Sequence, residues 1–401
     1  MPTYLTPGVY IEELSASEMS PFPLTYRAEP EEQAEITAPR WIAEHSTAAF
    51  VGLAVRGPAH MPTLVHSWPE YEQRFGGRLT GTYLGEAVLG FFANGGRSCY
   101  VVRINDLAVD AVGLDDLVGD SDDRSGLAGL ELVEDISAVA VPDVMSLYER
   151  DALDMDGVKA AQLATIAHCE IAGDRLAILD SPPGLSPDQV RNWRMDGAGF
   201  DSKYSALYYP WLKVAGQEHY ATPVPPCGYV AGVFARTDLH QHAANELILG
   251  TLGTQTEVTL QEQELLNPIG INALVDAAGR GLRVWGARTL SSDPSWRFVR
   301  KRRLMNFITR AVRHAAGWVI FEDAQDRRVH ARLKRTLDDF LAVLWRSGIL
   351  GGEDPGESYY VICDAETNPP EAVDRGLITA DCAASLHDGS DLHFRVVCYL
   401  G

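Results

Sequence analysis

Cysteine is scarce in this sequence, and its cysteines lie far apart. None of the six forms a CxxC pair: Cys99, Cys169, Cys227, Cys363, Cys382 and Cys398. Their neighbours are apolar, as in RSCYVVRI and RVVCYLG. Isolated cysteines in apolar surroundings are typical of buried free thiols in a reducing cytoplasm. We therefore expect neither disulfides nor a metal site built on cysteine.

Long apolar runs and an export signal are also missing. No stretch approaches the roughly 20 consecutive apolar residues that a membrane-spanning helix requires. The first residues, MPTYLTPGVYIEE, lack the charged and then apolar segments of a secretory signal. The hydrophobic share of 46% is nevertheless that of a folded protein. We expect a soluble, unexported protein of two or three domains with no direct membrane insertion.

The common signatures of catalysis and cofactor binding are absent. There is no GxSxG and no GxxxxGK[ST], and AAGRGLRVWG lacks the third glycine of a dinucleotide loop. His240 and His242 have no third metal ligand nearby. The residue types of a nucleophilic triad occur in one region, at His168, Asp174, Asp180 and Ser181, but the Ser-Pro-Pro that follows is ordinary turn sequence. We expect no enzyme, no catalytic residue, no cofactor and no metal.

Positive charge is concentrated in one part of an acidic chain. The net charge of -21 argues against nucleic acid as a partner. Residues 291–350 nevertheless hold thirteen Lys/Arg and six Asp/Glu, whereas residues 106–135 hold ten Asp/Glu and only Arg124 as a base. The basic region therefore requires its own explanation.

The basic residues follow the periodicity of an amphipathic helix. In WRFVRKRRLMNFITRAVRHAAGW an apolar face runs from Leu304 through Ile308 to Ala315. The basic residues that we single out are Arg300, Lys301, Arg302, Arg303, Arg310 and Arg313. One interpretation is a solvated charged face, and the other is a contact surface for an acidic protein or for acidic parts of neighbouring copies.

The order of predicted elements divides the chain into four segments. Residues 1–45 read as an N-terminal arm and linker, because the short strand TPGVYIEEL precedes a Pro-rich, acidic stretch. Residues 46–290 alternate between strands and helices, which predicts an α/β domain with a mostly parallel sheet. Residues 291–390 combine two helices with strands, and residues 391–401 form a terminal strand arm.

The terminal strand has no evident partner. In DLHFRVVCYLG the residues Leu392, Phe394, Val396, Cys398 and Leu400 alternate with mostly polar ones, as in a half-buried strand. An unpaired strand edge promotes association with other chains. The sequence therefore raises the question of what this strand pairs with.

Several stretches together resemble the contractile sheath proteins of phage tails and related injection systems. YLTPGVYIEE resembles their N-terminal arm. TAAFVGLAVRGP, PTLVHSWPEYEQRFGG and LGEAVLGFFANGGRSCYVVRI resemble the start of their core in the same order. PPCGYVAGVFARTD, LNPIGINAL, GRGLRVWGARTLSSDPSWRFVRKRRLMNFI and GWVIFE resemble the later core and C-terminal domain. The likeness extends over nearly the whole chain.

This resemblance implies a fold and a function. The expected fold is α/β, with a subtilisin-like mixed α/β core, a smaller α+β C-terminal inner domain (291–390), and extended N- and C-terminal strand arms. The expected role is a structural subunit of a helical homo-polymer around an inner tube, with baseplate and terminal cap proteins as further partners. It would be assembled in the bacterial cytoplasm and become part of a phage-tail-like particle. The alternatives are a subtilisin-like hydrolase or a non-polymerising adaptor that binds an acidic partner through its basic helix.

The resemblance also gives the candidate residues their roles. Both chain ends would add strands to neighbouring subunits, through Val9, Tyr10, Ile11, Phe394, Val396, Cys398 and Leu400. We expect deletion of Leu392–Gly401 to leave a folded core that no longer assembles. The six basic residues of the helix would contact the inner tube.

Overall fold

The computed structural model describes residues 4, 6–15, 46–104, 112–216, 220–277 and 279–401. The chain forms two compact units. The core unit is Ala43–Asn306, and the terminal unit combines Met1–Ile42 with Phe307–Gly401. The structure thus groups the N-terminal strand with the C-terminal region, and it extends the core unit beyond residue 290. The expected Pro-rich linker, together with part of the acidic 106–135 stretch, lies outside the described residues.

An eight-stranded sheet forms the centre of the core unit. Its strands are β2 (Thr47–Gly52), β3 (Thr63–Val65), β4 (Cys99–Arg103), β5 (Ile136–Ala140), β6 (Leu176–Asp180), β7 (Ser205–Tyr209), β11 (Ile271–Asp276) and β12 (Leu282–Val284), in the order β12-β11-β7-β6-β5-β2-β4-β3. The six inner strands are parallel, and β3 and β12 join the edges antiparallel. All residues of β2, β6 and β7 are buried, as expected for parallel strands covered on both faces. A small second sheet has the order β10-β8-β9, from β8 (Leu212–Ala215), β9 (Ala221–Val224) and β10 (Gly253–Thr254).

Helices connect these strands, which confirms the predicted mixed α/β class. They are α1 (Trp68–Phe75), α2 (Leu84–Ala93), α3 (Leu114–Val118), α4 (Val144–Glu149), α5 (Met155–Ala172), α6 (Pro187–Asn192), α7 (Cys227–Arg236), α8 (Leu260–Leu266) and the start of α9 (Val299–Ala316). Single 3₁₀ turns lie at Ala128–Leu132, Asn267–Ile269 and Pro294–Trp296, and a π-helical turn at Trp193–Ala198. The Ser67 side chain caps α1, and Gly76 ends this helix in the left-handed conformation.

Two helices of the core unit pack so closely that glycine is required between them. A Cβ atom on Gly228 of α7 would lie 2.2 Å from the backbone oxygen of Ala87 in α2. One on Gly232 would lie 2.5 Å from the oxygen of Phe91. Any larger side chain at these positions would force the two backbones apart.

A buried carboxylate, Asp143, lies where the strand order reverses. Numbered along the chain, the six parallel strands follow the doubly wound order 2-1-3-4-5-6, and the reversal falls beside β2 and β5. In such sheets the crevice at the carboxyl ends of these strands commonly binds a ligand. Here Asp143 fills it, accepting hydrogen bonds from the backbone N–H groups of Leu53 (2.7 Å), Tyr83 (2.6 Å) and Leu84 (3.3 Å). Burial raises the pKa of Asp143, although these donors oppose the shift. The protein's own anion thus occupies the start of α2, which could otherwise bind an anionic ligand.

The terminal unit is an antiparallel sheet with helices. Its strands are β1 (Gly8–Glu13), β13 (Tyr359–Ile362), β14 (Leu377–Ser385) and β15 (Asp391–Tyr399), in the order β1-β15-β14-β13. The helical elements are the end of α9, the 3₁₀ turn Gly317–Phe321, α10 (Arg327–Arg346), and the single turns α11 (Pro355–Ser358) and α12 (Pro370–Val373). The long helix α10 places Leu333, Leu337, Leu341 and Leu344 in the interior and packs against β13 and β14. In the part of the chain that the structure describes, no helix is long and apolar enough to cross a membrane.

Replacing Asp143 with alanine should destabilise the core unit strongly. Three buried N–H groups would lose their acceptor, and each unpaired buried donor costs about 1–3 kcal/mol. We expect a total loss of roughly 3–5 kcal/mol and a thermal midpoint about 10 °C lower, measured by scanning calorimetry. The exposed Glu134, replaced with alanine, is the control and should change the midpoint by less than about 2 °C. An unchanged midpoint for Asp143→Ala would contradict the role given to this carboxylate.

Candidate functional site

The residue types of a nucleophilic triad are not brought together. His168 lies beside Arg175, with 3.5 Å between Nε2 and Nη1, and burial and that positive charge lower the pKa of the imidazole to about 4. Arg175 is itself bound to Asp174 at 2.9 Å. Ser181 follows the opposite end of β6, six residues and about 20 Å along the extended strand from Arg175. His168 therefore lies near the start of β6 and Ser181 beyond its end.

Asp180 is a second structural carboxylate at the carboxyl edge of the core sheet. Its Oδ1 accepts a hydrogen bond from the backbone N–H of Cys227, at the start of α7, over 2.9 Å. Burial raises the pKa of Asp180 to about 7. Asp180 and Asp143 thus bind the starts of two helices that pack against each other.

The described residues contain no group of three or more His, Cys, Asp or Glu side chains positioned to hold a metal ion. The described cysteines are free thiols, five of them buried and Cys363 partly so.

The basic helix holds a fully buried arginine. Arg302 is 0% exposed. Its guanidinium carbon lies 4.3 Å from the ring centre of Tyr204 and 4.6 Å from that of Trp296. Its Nε donates a hydrogen bond to the Asn306 side chain at 2.6 Å. Cation–π contacts of this kind gain strength in a desolvated site. Arg302 therefore fixes the start of α9 to the interior of the core unit.

Arg303 and Arg300 are also buried and bind backbone oxygens of the same unit. The Nη2 of Arg303 donates to Phe234 O at 2.6 Å and to Thr237 O at 3.2 Å, at the carboxyl end of α7. A positive charge is favourable at that end of a helix. The Nη1 of Arg300 donates to His240 O at 3.4 Å.

The expected contact surface on α9 therefore requires correction. Arg300, Arg302 and Arg303 are 8%, 0% and 8% exposed, so they cannot form a surface for an inner tube or another acidic partner. Lys301, Arg310 and Arg313 are half-buried and retain accessible side-chain surface. The sequence showed the run of charges but not its aromatic lining, because Tyr204 is far away in the chain. Trp296, only six residues before Arg302, was the available signal.

The premise that the last strand has no partner within its own chain is wrong. Strand β15 lies in the interior of its sheet and pairs with β14 along nine residues, from Leu377↔Tyr399 to Ser385↔Asp391. On its other side it pairs with β1, from Gly8↔Tyr399 to Glu13↔Phe394. We therefore expect deletion of Leu392–Gly401 to disrupt the fold of the terminal unit. The insertion of strands between subunits stays a prediction, and β1 is now the better candidate because it lies at the edge.

The expected strand-arm residues divide between the two faces of this sheet. Phe394, Val396 and Cys398 are buried on the inner face, and the register places Val9 and Ile11 of β1 on the same face. Tyr10 lies on the outer face, opposite Val397. Leu400 follows the strand, and its N–H donates to Gly376 O at 2.9 Å.

The outer face of the sheet carries a row of charged side chains that sequence reasoning missed. Arg395 of β15 is bound to Asp381 of β14 by two hydrogen bonds, at 2.6 and 2.9 Å. Glu12 of β1 is the residue directly opposite Arg395. Its side chain accepts a hydrogen bond from the hydroxyl of Tyr4. We call Glu12, Arg395 and Asp381 the charge row.

The far edge of β14 is closed by a side chain. Strand β13 covers β14 only from Asp381 to Ala384. Beyond it, the Asn368 amide imitates a strand: it donates to Thr379 O at 2.8 Å and accepts from Thr379 N at 2.6 Å. That part of the edge is therefore not available to a further strand.

Comparisons with known proteins give matches to part of the sequence and to the fold. Residues 126–290, in the core unit, match the family model of the phage tail sheath protein central domain. This part of the chain is therefore similar to the central domain of phage tail sheath proteins. The resemblance found in the sequence is thus confirmed.

A curated sheath protein also matches part of the chain. A prophage major tail sheath protein of Pseudomonas aeruginosa (strain UCBPP-PA14) is 30% identical over 156 residues, which are 36% of this chain and 39% of the relative. The matched part of this chain thus spans about two fifths of that curated relative.

Solved structures match over almost the whole length. The helical sheath of the anti-feeding prophage in its contracted state has a TM-score of 0.69 at 24% identity, covering 96% of both chains. The contracted PVC sheath complex, from an extracellular contractile injection system, has a TM-score of 0.67 at 22% identity, covering 96% of this chain and 95% of that one. Both units of this chain therefore have folds found in contractile sheath proteins.

Replacing Arg302 with alanine should destabilise the protein, whereas the same change at the exposed Arg297 should not. The Arg302 change removes two cation–π contacts and leaves a cavity, so we expect a loss of about 3 kcal/mol and a thermal midpoint lower by roughly 6–12 °C. Arg297→Ala removes an equal charge from the surface and should change the midpoint by less than about 2 °C. Equal effects in calorimetry would contradict the assignment of Arg302 to the interior.

Proposed function

We propose that this chain is the structural subunit of a contractile sheath. It polymerises around an inner tube in a metastable extended state and contracts to drive the tube through a target envelope. The observation that carries the proposal is a sheet built from both ends of the chain in a protein with the fold of contractile sheath proteins. In this proposal the chain catalyses no reaction and takes no cofactor.

Exchange of strand β1 between copies would connect the subunits. Thirty-three residues separate Glu13 from Thr47. A chain of that length can span up to about 110 Å when extended. Because all copies are identical, β1 can form the same six pairs with β15 of a neighbour that it forms within its own chain. Each copy would then give a strand to one neighbour and accept a strand from another, as open helical polymers require.

The position of β1 suits this exchange. It is an edge strand, so its departure leaves β13, β14 and β15 paired with one another. Its inward side chains, Val9 and Ile11, lie on the same apolar face of the sheet as Phe394 and Val396 of β15. Backbone hydrogen bonds would supply the affinity and these alternate side chains the specificity.

Contraction would require no nucleotide. The extended polymer would be trapped kinetically, and release by a baseplate would allow rearrangement to better-matched contacts between subunits. A gain on the order of a few kcal/mol per subunit, repeated along the polymer, would provide the work. The exchanged strands would stay paired while the units move.

Further contacts follow from this role. Lys301, Arg310 and Arg313 are our candidates for contact with an acidic inner tube, since exposed ion pairs are individually weak and can break during rotation. The other partners would be a baseplate and a terminal cap, and assembly would take place in the bacterial cytoplasm. The subtilisin-like description of the core stays a prediction and carries no proteolytic activity with it.

Removing residues 1–15 should abolish assembly and leave the chain folded. The deletion takes away edge strand β1, whereas the three other strands of the sheet keep their pairing. Electron microscopy of the wild-type protein should show sheath-like tubes, and the deletion variant should remain as single subunits with an unchanged far-ultraviolet circular dichroism spectrum in the helical range.

A conservative change in the same strand provides the control. Ile11→Val keeps the backbone pairing and most of the buried side chain, so tubes should still form. Tubes from the deletion variant would disprove strand exchange through β1. A wild-type protein that stays monomeric at high concentration, with or without its tube protein, would instead favour the adaptor alternative.

A further inference from the structure

The charge row crosses three strands of the terminal sheet in register. Glu12 on β1, Arg395 on β15 and Asp381 on β14 are directly opposite one another on the same face. Directly opposite residues of antiparallel strands have Cβ atoms roughly 5 Å apart, so their charges interact. The order of signs is acid, base, acid. Strand β1 thus meets a positive charge at one defined position.

Arg395 is held in place by β14 and not by β1. Its two hydrogen bonds to Asp381 join strands that a short turn connects, and the side chains are only 35% and 16% exposed. These hydrogen bonds raise the pKa of Arg395, which keeps its charge fixed. The positive charge is therefore already positioned in a sheet that has not yet received a β1 strand.

Apolar alternation alone cannot define the register of β1. A slip by one residue would turn Val9 and Ile11 away from the inner face, which the buried sheet opposes strongly. A slip by two residues keeps every apolar side chain on the inner face. It would, however, move Glu12 opposite His393 or Val397 and leave Arg395 without its acidic neighbour on β1. The charge row therefore distinguishes the observed register from registers that are shifted by two residues.

The tyrosines of the arm reinforce the position of Glu12. The Tyr4 hydroxyl donates to Glu12, and the Tyr4 ring lies 4.8 Å from that of Tyr10 and 6.4 Å from that of Tyr399 on β15. Glu12 is thus oriented from within its own segment. Because Tyr4 and Tyr10 belong to the same segment as Glu12, they would accompany β1 to a new partner.

We propose that the charge row selects the register in which β1 of one copy pairs with β15 of the next. The site is Arg395 held by Asp381, and its ligand is an N-terminal strand of a second copy with an acidic residue at the position of Glu12. This inference rests on the proposed strand exchange between sheath subunits.

Complementary charge reversals test it. The first variant is Glu12→Arg, and the second combines Asp381→Arg with Arg395→Glu. Each places like charges opposite each other in a polymer of its own kind, whereas a 1:1 mixture matches every row if the strand comes from a neighbour. The triple variant, Glu12→Arg with Asp381→Arg and Arg395→Glu, matches the charges in any arrangement. The readout is the critical concentration for tube formation, measured by sedimentation and electron microscopy.

We expect each of the two variants alone to raise the critical concentration about tenfold. The 1:1 mixture and the triple variant should return to near the wild-type value, and Glu12→Gln should lie between. If the Glu12→Arg variant on its own formed tubes at the wild-type critical concentration, the proposal would be overturned. This variant should fold, because it changes only an edge strand. Rescue by the triple variant without rescue by the mixture would also overturn it, because the pairing would then lie within one chain. Absence of tubes from the wild-type protein would instead count against the proposed function itself.

Discussion

The backbone groups of a β-strand need partners, and this requirement determines what the two ends of the chain do. Strand β15 satisfies both of its edges, through β14 on one side and β1 on the other. Strand β1 lies at an edge, so it can change partner without breaking the pairing of the other three strands. A long connection and identical copies make intramolecular and intermolecular pairing chemically equivalent. In the proposed assembly, the connection between subunits would thus depend on which copy supplies one six-residue strand.

Desolvation determines the roles of the charged side chains in the core unit. Asp143 and Asp180 are buried at the carboxyl edge of a doubly wound sheet, where they bind the starts of α2 and α7. An enzyme of this class would keep such helix termini open for a ligand. Arg302 and Arg303 are likewise used inside, on aromatic rings and at a helix end. These buried charged groups therefore bind parts of the protein itself.

The sequence predicted the class of the fold because its apolar periodicities are long and its turns are marked. The α/β alternation and the buried face of β15 are both present. It did not predict which charged side chains are buried. Arg302 and Lys301 are adjacent basic residues in the sequence, and only the fold places Tyr204 beside Arg302. Nor did it predict the charge row, because opposite positions on β1, β14 and β15 depend on pairings between distant segments. Local pattern determines elements, whereas register and burial come from contacts far apart in the chain.

In the proposed assembly, two kinds of interaction would act at different times. Charges act over longer distances than hydrogen bonds, so the fixed Arg395 would favour correct encounters while subunits add to the polymer. Once β1 is paired, its backbone hydrogen bonds and the inward Val9 and Ile11 would hold the connection. Surface ion pairs elsewhere could then break and reform as the units move, because each is weak. A polymer that must both assemble accurately and move without separating requires this division, and a single flat contact surface could not provide it.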